Sequence, residues 1–293
     1  MTALHYAKHA LLWLLLAAAA LIALAACAPV ATLNALAPTD THTLQADLPY
    51  GPLRRQRLDI YTPTRAAPAG GHPVVVFFYG GSWNRGERHD YKFVGEALAS
   101  RGMIAILADY RLYPQVRYPD FLTDCAQALA YGLSHAKALG GNPQRVFVMG
   151  HSAGAYNAAM LAMDARWLQP TGHSPKELAG FIGLAGPYDF YPMTNPDAQP
   201  VFFHPNYPPD SQPIAFARQD SPRSFVAAPQ EDKLVNPHRN TEGLAQQLQS
   251  AGAKVTLKMY DRVNHMTLAA AFARPLRWLA PVLDDVAAFV DGT

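Results

Sequence analysis

Short apolar runs alternate with segments of helical periodicity along most of the chain. Six runs of four to six mostly apolar residues are typical of strands whose two faces are both buried in a sheet. These runs are Val74–Tyr79, Ile104–Ala108, Val146–Met149, Phe181–Leu184, Ser224–Ala228 and Val255–Tyr260. Apolar and polar residues alternate more at Leu53–Tyr61, so this segment is predicted to be an edge strand.

Between these runs, apolar residues recur at the three- and four-residue spacing of helices. The predicted helices are 91–100, 120–139, 154–163, 241–250 and 280–290. Because strands and helices alternate, the fold class is α/β, with a mostly parallel sheet and helices on both of its faces. Ligands of such sheets bind at the carboxyl ends of the strands.

Composition and charge indicate a globular protein. Half of the residues are hydrophobic and the formal net charge is +2, so the chain lacks the concentrated basic surface that a nucleic-acid partner would require. One domain is predicted over residues 48–293, after a linker at 27–47. Prolines concentrate between Pro187 and Pro237, and residues 187–222 are expected to form a short loop-rich cap. The oligomeric state stays open.

The N-terminal segment has the pattern of an export signal. Lys8 precedes an apolar run at 10–26, and Leu24–Cys27 resembles the lipobox of bacterial lipoproteins. Cleavage before Cys27 would remove a signal peptide at 1–26 and leave a lipidated cysteine. This predicts a protein anchored by lipid to the bacterial cell envelope, at the outer membrane or a membrane facing the periplasm. The alternative is an uncleaved membrane helix, since the run is nearly long enough to span a bilayer.

Cys125 is the second of two cysteines in the chain. If Cys27 carries lipid, no internal disulfide can form. Cys125 lies in a segment with helical spacing of apolar residues, so we expect a buried structural thiol rather than a nucleophile.

A G-x-S-x-G pentapeptide occupies Gly150–Gly154, between the run that ends at Met149 and a predicted helix. A serine on a sharp strand-to-helix turn needs small neighbours, because its backbone conformation is strained. This context predicts Ser152 as a nucleophile. The alternative is a serine that caps the helix after a glycine turn.

A serine nucleophile needs an imidazole to accept its proton and a carboxylate to hold that imidazole. His265 is the candidate base, since it follows the last predicted strand and the turn Asp261–Asn264 and is expected on a loop at the catalytic edge. His151 is set aside because its position next to Ser152 directs it elsewhere. The other histidines have no ligand spacing that predicts a metal site.

The candidate acid is Asp232, which follows the strand predicted at 224–228 after a short loop. Glu231 and Asp261 are alternatives, because sequence does not fix which carboxylate points at the imidazole. Asp232 could also begin a helix-capping turn.

Negative charge develops on the carbonyl oxygen during acyl transfer and is stabilised by backbone N–H groups. The segment Tyr79–Trp83 follows a predicted strand, and its glycines allow close approach to a substrate. The predicted oxyanion-hole donors are the amides of Gly81, Ser82 and Ala153. The alternative is a simple tight turn.

Four motifs in this order resemble the α/β-hydrolase superfamily, in particular its esterase branch of hormone-sensitive-lipase-like carboxylesterases, feruloyl-type esterases and kynurenine formamidases. The motifs are Tyr79–Trp83, Asp109–Pro114, Gly140–Pro143 and Gly150–Gly154. The resemblance implies an eight-stranded core, a Ser152–Asp232–His265 triad, hydrolysis through an acyl-enzyme and no cofactor. Two positions depart from the family pattern: Tyr79 stands where histidine is usual and Pro229 where glycine is usual.

Three functions are compatible with this resemblance. The first is a serine carboxylesterase that acts on small-molecule esters. The second is a formamidase-like amide hydrolase, which the arrangement at Gly80–Trp83 favours, and the third is a binding module that kept the fold without catalysis. The aromatic side chains of the cap either line an apolar substrate site or pack the loop onto the sheet.

Overall fold

One eight-stranded sheet forms the centre of the protein in the computed structural model, which describes Trp13 and residues 28–292. Its spatial order is β1-β2-β4-β3-β5-β6-β7-β8, and β3 to β8 run parallel while β2 is antiparallel to both of its neighbours. The expected mostly parallel sheet is confirmed. The strands are β1 (His42–Pro49), β2 (Arg57–Pro63), β3 (His72–Phe78), β4 (Ile104–Ala108), β5 (Gly141–His151), β6 (Gly180–Leu184), β7 (Ser224–Pro229) and β8 (Val255–Tyr260).

Helices cover both faces of this sheet. Lys92–Ser100 packs against Val282–Asp291 in one group, and Asp120–His135 packs against Ala153–Met163 in the other. The helices are α1 (Pro29–Ala35), α2 (Lys92–Ser100), α3 (Asp120–His135), α4 (Ala153–Met163), α5 (Gly243–Ser250), α6 (His265–Ala270) and α7 (Val282–Asp291). The five predicted helices are confirmed, and four of them agree with the prediction to within two residues at each end. The exception, α3, ends at His135 rather than 139, because the chain turns through Gly140 (φ +82°) into β5.

Two expectations for the N-terminal part are wrong. The linker predicted at 27–47 contains α1 and most of β1, and β2 is not an edge strand because β1 pairs along it. Six of the eight residues of β1 are exposed, so its side chains carry little apolar pattern and backbone pairing with β2 defines the strand. The start predicted for the edge strand at Leu53 lies in a turn before Arg57.

The register of the parallel strands brings their carboxyl ends to one edge. Phe78 of β3 lies opposite Gly150 of β5, and His151 lies opposite Leu184 of β6, which in turn faces Ala227 of β7. The loops after β3, β5, β7 and β8 therefore leave the sheet at the same edge. Parallel α/β sheets bind their ligands at this edge.

A buried arginine connects the antiparallel strands to the loop after β3. The side chain of Arg88 is 6% exposed; its Nε donates to Asp59 at 2.8 Å and its Nη2 to Asp47 at 2.9 Å, while Nη1 pairs with Asp109. The backbone amide of Arg88 also donates to Asp109 at 2.7 Å. Buried charges are tolerated when they are paired and hydrogen-bonded in this way.

Replacing Arg88 with Met is expected to lower the free energy of unfolding by about 3–5 kcal/mol, because the buried carboxylates of Asp59 and Asp109 would lose their closest cation. Arg85→Met is the matched control on the same loop, since the pair of Arg85 with Asp197 is exposed and exposed pairs contribute under about 1 kcal/mol. Equilibrium denaturation of both variants measures the difference. Equal losses would contradict a structural role of the buried cluster.

Candidate active site

Ser152 occupies a strained turn between β5 and α4. Its φ of 54° and ψ of −123° lie in a region that residues other than glycine rarely adopt. The turn is closely packed: a Cβ on Gly150 would lie 2.1 Å from the carbonyl oxygen of Gly154, and a Cβ on Gly154 would lie 2.0 Å from that of Phe78. The Ser152 amide donates to the Leu184 carbonyl at 2.8 Å. The two glycines of the pentapeptide are therefore required by sterics.

The structure brings the three predicted residues Ser152, His265 and Asp232 into one hydrogen-bonded line. Nε2 of His265 lies 2.8 Å from the Oγ of Ser152, and Nδ1 lies 2.6 Å from Oδ2 of Asp232. His265 is buried, and it is not on a loop as expected but is the first residue of α6. Asn264 caps this helix by accepting hydrogen bonds from the amides at 266 and 267. The cap fixes where the helix begins and therefore where His265 lies.

Asp232 is held by the backbone as well as by His265. Its Oδ1 accepts from the amides of Leu234 at 2.8 Å and Val235 at 3.1 Å. Burial opposes ionisation of this carboxyl, but the hydrogen bond and charge of His265 together with these two amides outweigh it and hold the pKa of Asp232 below its usual value. Asp232 thus caps a turn and faces the imidazole at once. The alternative Glu231 is exposed to solvent.

The partners of His265 fix which of its nitrogens carries the proton. An ionised carboxylate only accepts hydrogen bonds, so Nδ1 donates to Asp232 and Nε2 is left as an acceptor for the Ser152 hydroxyl. This is the arrangement in which an imidazole can remove a serine proton.

The loop after β3 places backbone amides beside Ser152. Ser82 and Trp83 have positive φ values of 51° and 57°, and the turn requires Gly81, since a Cβ there would lie 2.2 Å from the Arg85 carbonyl oxygen. Ser82 and Ala153 line the same cavity as Ser152, whereas Gly81 is not among its lining residues. Two of the three predicted donor residues therefore line the space that a substrate would enter.

Tyr79, which stands where the family usually has histidine, has its own set of contacts. Its hydroxyl accepts from Nη2 of Arg55 at 2.7 Å, and its ring stacks on Tyr110 with centroids 4.6 Å apart. Arg55 also donates to the carbonyl oxygens of Gly86 and Tyr110. Burial, together with the nearby charge of Asp109, raises the pKa of Tyr79 well above its usual value, so the hydroxyl stays protonated. These contacts hold the loop without a histidine.

A cavity of about 440 Å³ opens over Ser152 and His265, a size typical of small-molecule sites. The predicted cap contributes much of its wall, from Pro187 to Ala198. The cap is joined to the loop after β3 by a hydrogen bond from Asn195 to the Ser82 hydroxyl at 3.1 Å. On the other side the guanidinium of Arg239 donates twice to the carboxylate of Asp189, at 2.9 and 3.0 Å.

Most aromatic side chains of the cap pack against the domain. Of the seven in the predicted cap, Phe190 alone is among the residues that line the cavity. It stacks with Trp83, whose ring also meets Phe202 edge-on at 4.8 Å and Tyr156 at 5.2 Å. The indole N–H of Trp83 donates to Asn157 of α4 at 2.9 Å. Trp83 and Phe190 therefore form a rigid aromatic wall of the cavity.

His151 has a place in the site that the sequence did not reveal. It is 1% exposed, and its ring lies 5.1 Å from that of His265. Its Nε2 bonds to the backbone carbonyl of His265 rather than to Ser152. The only signal in the sequence is a histidine shortly after the apolar run Val146–Met149, which indicates burial without naming a partner.

Some predictions fall on parts of the chain that the structure leaves aside. Cys27 and, apart from Trp13, the predicted signal peptide at 1–26 lie outside the described residues. Among the residues that are described, no helix is long and apolar enough to cross a membrane. Cys125 is a free thiol and fully buried in α3, as predicted.

Comparison with known proteins extends this picture. A profile of the BD-FAE family matches residues 58–248. An isoprenylcysteine alpha-carbonyl methylesterase of Arabidopsis thaliana is 35% identical over 150 residues, which cover 50% of this chain and 35% of that protein. A kynurenine formamidase of Danio rerio is 26% identical over 242 residues, which cover 78% of this chain and 76% of that protein. The chain spans between 34% and 56% of the length of five plant relatives of the methylesterase group.

Solved structures share the fold at lower identity. An esterase of Pyrobaculum calidifontis superimposes with a TM-score of 0.72 at 21% identity, covering 90% of this chain and 89% of that one. This likeness supports the α/β-hydrolase fold that the four sequence motifs imply.

Proposed function

The chain belongs to the BD-FAE family, and from this premise we propose that it is a serine carboxylesterase that works through an acyl-enzyme. The observation that carries the proposal is the line from Ser152 through His265 to Asp232, with separations of 2.8 and 2.6 Å. The esterase and methylesterase names of its relatives support the same reaction class.

The proposed reaction has two halves. The Oγ of Ser152 attacks the ester carbonyl carbon while its proton passes to Nε2 of His265, and the carbonyl oxygen becomes an oxyanion. When the C–O bond to the alcohol breaks, His265 returns the proton to the departing oxygen and an acyl-serine remains. Water then loses a proton to His265, attacks the acyl carbon and releases the carboxylic acid, and Ser152 recovers its proton.

The roles of the remaining groups follow from their positions. Ser82 and Ala153 line the cavity and their amides are the proposed donors to the oxyanion, with Gly81 as the third predicted donor. Asp232 keeps its carboxylate ionised and stabilises the imidazolium that forms in each half of the reaction. The cavity of about 440 Å³ suits a small or medium ester. No cofactor enters this scheme.

A second candidate activity is hydrolysis of a formamide, favoured by the Danio rerio relative, whose length the match largely covers. The same serine and imidazole would attack an amide carbonyl and protonate a leaving amine. Parallel assays with p-nitrophenyl acetate, p-nitrophenyl butyrate, p-nitrophenyl decanoate and N-formylkynurenine separate the two activities. A preference for N-formylkynurenine would replace the esterase proposal.

Ser152→Ala is expected to lower kcat for p-nitrophenyl butyrate on the order of 10⁴-fold or more, because no acyl-enzyme can form. A fluorophosphonate probe, which reacts with activated serines, should label the wild type at Ser152 and leave this variant unlabelled. Hydrolysis at the wild-type rate by the variant would contradict the assignment. A wild type that neither hydrolyses esters nor reacts with the probe would favour a non-catalytic binding module.

Ser134 supplies a matched control. Its hydroxyl lies 2.9 Å from Nε2 of His173, whose Nδ1 lies 3.0 Å from the carboxylate of Glu177. This surface relay has the same donor order as the proposed triad, but Ser134 is exposed on α3 and is not among the residues that line the cavity over Ser152. Ser134→Ala should retain full activity and full labelling.

The acid assignment predicts that Asp232→Asn lowers kcat on the order of 10³- to 10⁴-fold, since a neutral amide favours the wrong imidazole tautomer. Glu231→Gln is the control, because Glu231 is the neighbouring carboxylate and is exposed; its kcat should stay within about twofold of the wild type. Steady-state kinetics on one ester measures both. The opposite ranking would transfer the acid role to Glu231.

We also propose that the mature protein is anchored to the cell envelope through lipid on Cys27, as its lipobox-like segment suggests. Cys27→Ala is expected to move the protein from the membrane fraction to the soluble fraction on cell fractionation. Cys125→Ala is the control, since that thiol is buried inside the domain, and it should stay with membranes. Retention of the Cys27 variant in membranes would favour an uncleaved anchor helix.

A further inference from the structure

A chain of hydrogen bonds runs behind Ser152 and joins the two sides of the site. Nε2 of His151 lies 2.9 Å from the backbone carbonyl oxygen of His265, and Nδ1 of His151 lies 3.0 Å from the hydroxyl of Tyr91. The same hydroxyl accepts a longer hydrogen bond, of 3.4 Å, from the amide of Gly80. Three segments that are distant in sequence therefore meet at one buried imidazole.

The protonation of His151 follows from these partners. Burial, and after it the nearby charge of His265, lowers the pKa of His151 to about 3, so the ring is neutral at pH 7. A carbonyl oxygen only accepts, so Nε2 of His151 carries the proton and donates to His265. Nδ1 must then accept from Tyr91, which leaves the Tyr91 oxygen free to accept from Gly80.

Each end of this chain touches a part of the proposed machinery. Gly80 opens the loop that carries Ser82, and a Cβ on Gly80 would lie 2.9 Å from the Cβ of Ser152. The other end holds the backbone of His265 at the first residue of α6. Tyr91 and His151 do not line the cavity, so they have no contact with a substrate there.

We propose that Tyr91 and His151 are positioning residues that fix the base His265 and the oxyanion loop relative to each other, on opposite sides of Ser152. The proposal rests on the proposed esterase function. Catalytic groups must be held to within about 0.5 Å of their productive geometry, and a displacement of about 1 Å can cost about 100-fold in rate. A hydrogen-bonded link between base and oxyanion loop supplies such a constraint without touching the substrate.

Tyr91→Phe removes only the hydroxyl that joins Gly80 to His151. Its kcat is expected to fall about 10- to 100-fold, while KM for the same ester stays within about twofold, because binding groups are untouched. The rate constant for labelling of Ser152 by a fluorophosphonate should fall in parallel. Tyr61→Phe is the matched control: its hydroxyl is also buried but has no hydrogen-bond partner among the described residues, so both rates should match the wild type.

Two substitutions of His151 test the other link. In His151→Gln the amide nitrogen can take the place of Nε2 and still donate to the His265 carbonyl. In His151→Asn the shorter amide can accept from Tyr91 but cannot reach His265. Each variant breaks the link at one end, so both are expected to lower kcat and the labelling rate while KM stays within about twofold, whereas a residue that only fills space would lower them in step with the melting temperature.

The outcomes separate this inference from the function on which it rests. If the wild type is active and the Tyr91→Phe variant has the same kcat and labelling rate, the inference is overturned and the proposed function stands. Equal losses in Tyr91→Phe and Tyr61→Phe, or losses that follow the melting temperature of the variants, also overturn it. A wild type that neither hydrolyses esters nor labels at Ser152 overturns both the inference and the proposed function.

Discussion

The strained turn at Ser152 is the constraint on which the rest of the site depends. Its positive φ is tolerated because the neighbouring glycines let α4 pack directly on the end of β3, where Gly154 meets the carbonyl of Phe78. This packing places the serine above the sheet edge. It also sets the position of the Ala153 amide and the distance from Ser152 to His265, so a change in the turn would move the nucleophile relative to its base.

Much of the fold can be predicted from the sequence because burial leaves a clear pattern. The inner strands β3 to β7 each contain a run of mostly apolar residues, since helices cover both faces of the sheet. The pattern fails where side chains are exposed: β1 is defined by backbone pairing, and its segment His42–Pro49 has no clear apolar alternation. The helix α6, which spans six residues, is too short for helical periodicity to appear.

The candidate site could be predicted as far as residue type and chain order allow. Ser152, Asp232 and His265 each follow a strand of the sheet, and parallel strands end at one edge. The partners of His151, which belong to no motif, could not be predicted. His151 meets Tyr91 across 60 residues and the His265 backbone across 114, and no local pattern encodes such contacts.

The surface relay at Ser134 shows which features of a catalytic site a hydrogen-bonded serine, histidine and carboxylate do not supply by themselves. Ser134, His173 and Glu177 are also within hydrogen-bond distance of one another, at 2.9 and 3.0 Å, but Ser134 belongs to a regular helix and is open to water. Water screens the charges of such a relay and competes for its hydrogen bonds. At Ser152 the strained turn places the serine at a cavity, the residues of two proposed oxyanion donors line the same space, and burial strengthens each electrostatic contact. Hydrogen bonds among a serine, a histidine and a carboxylate make a proton transfer possible. The surroundings of Ser152 are what would lower the barrier to that transfer.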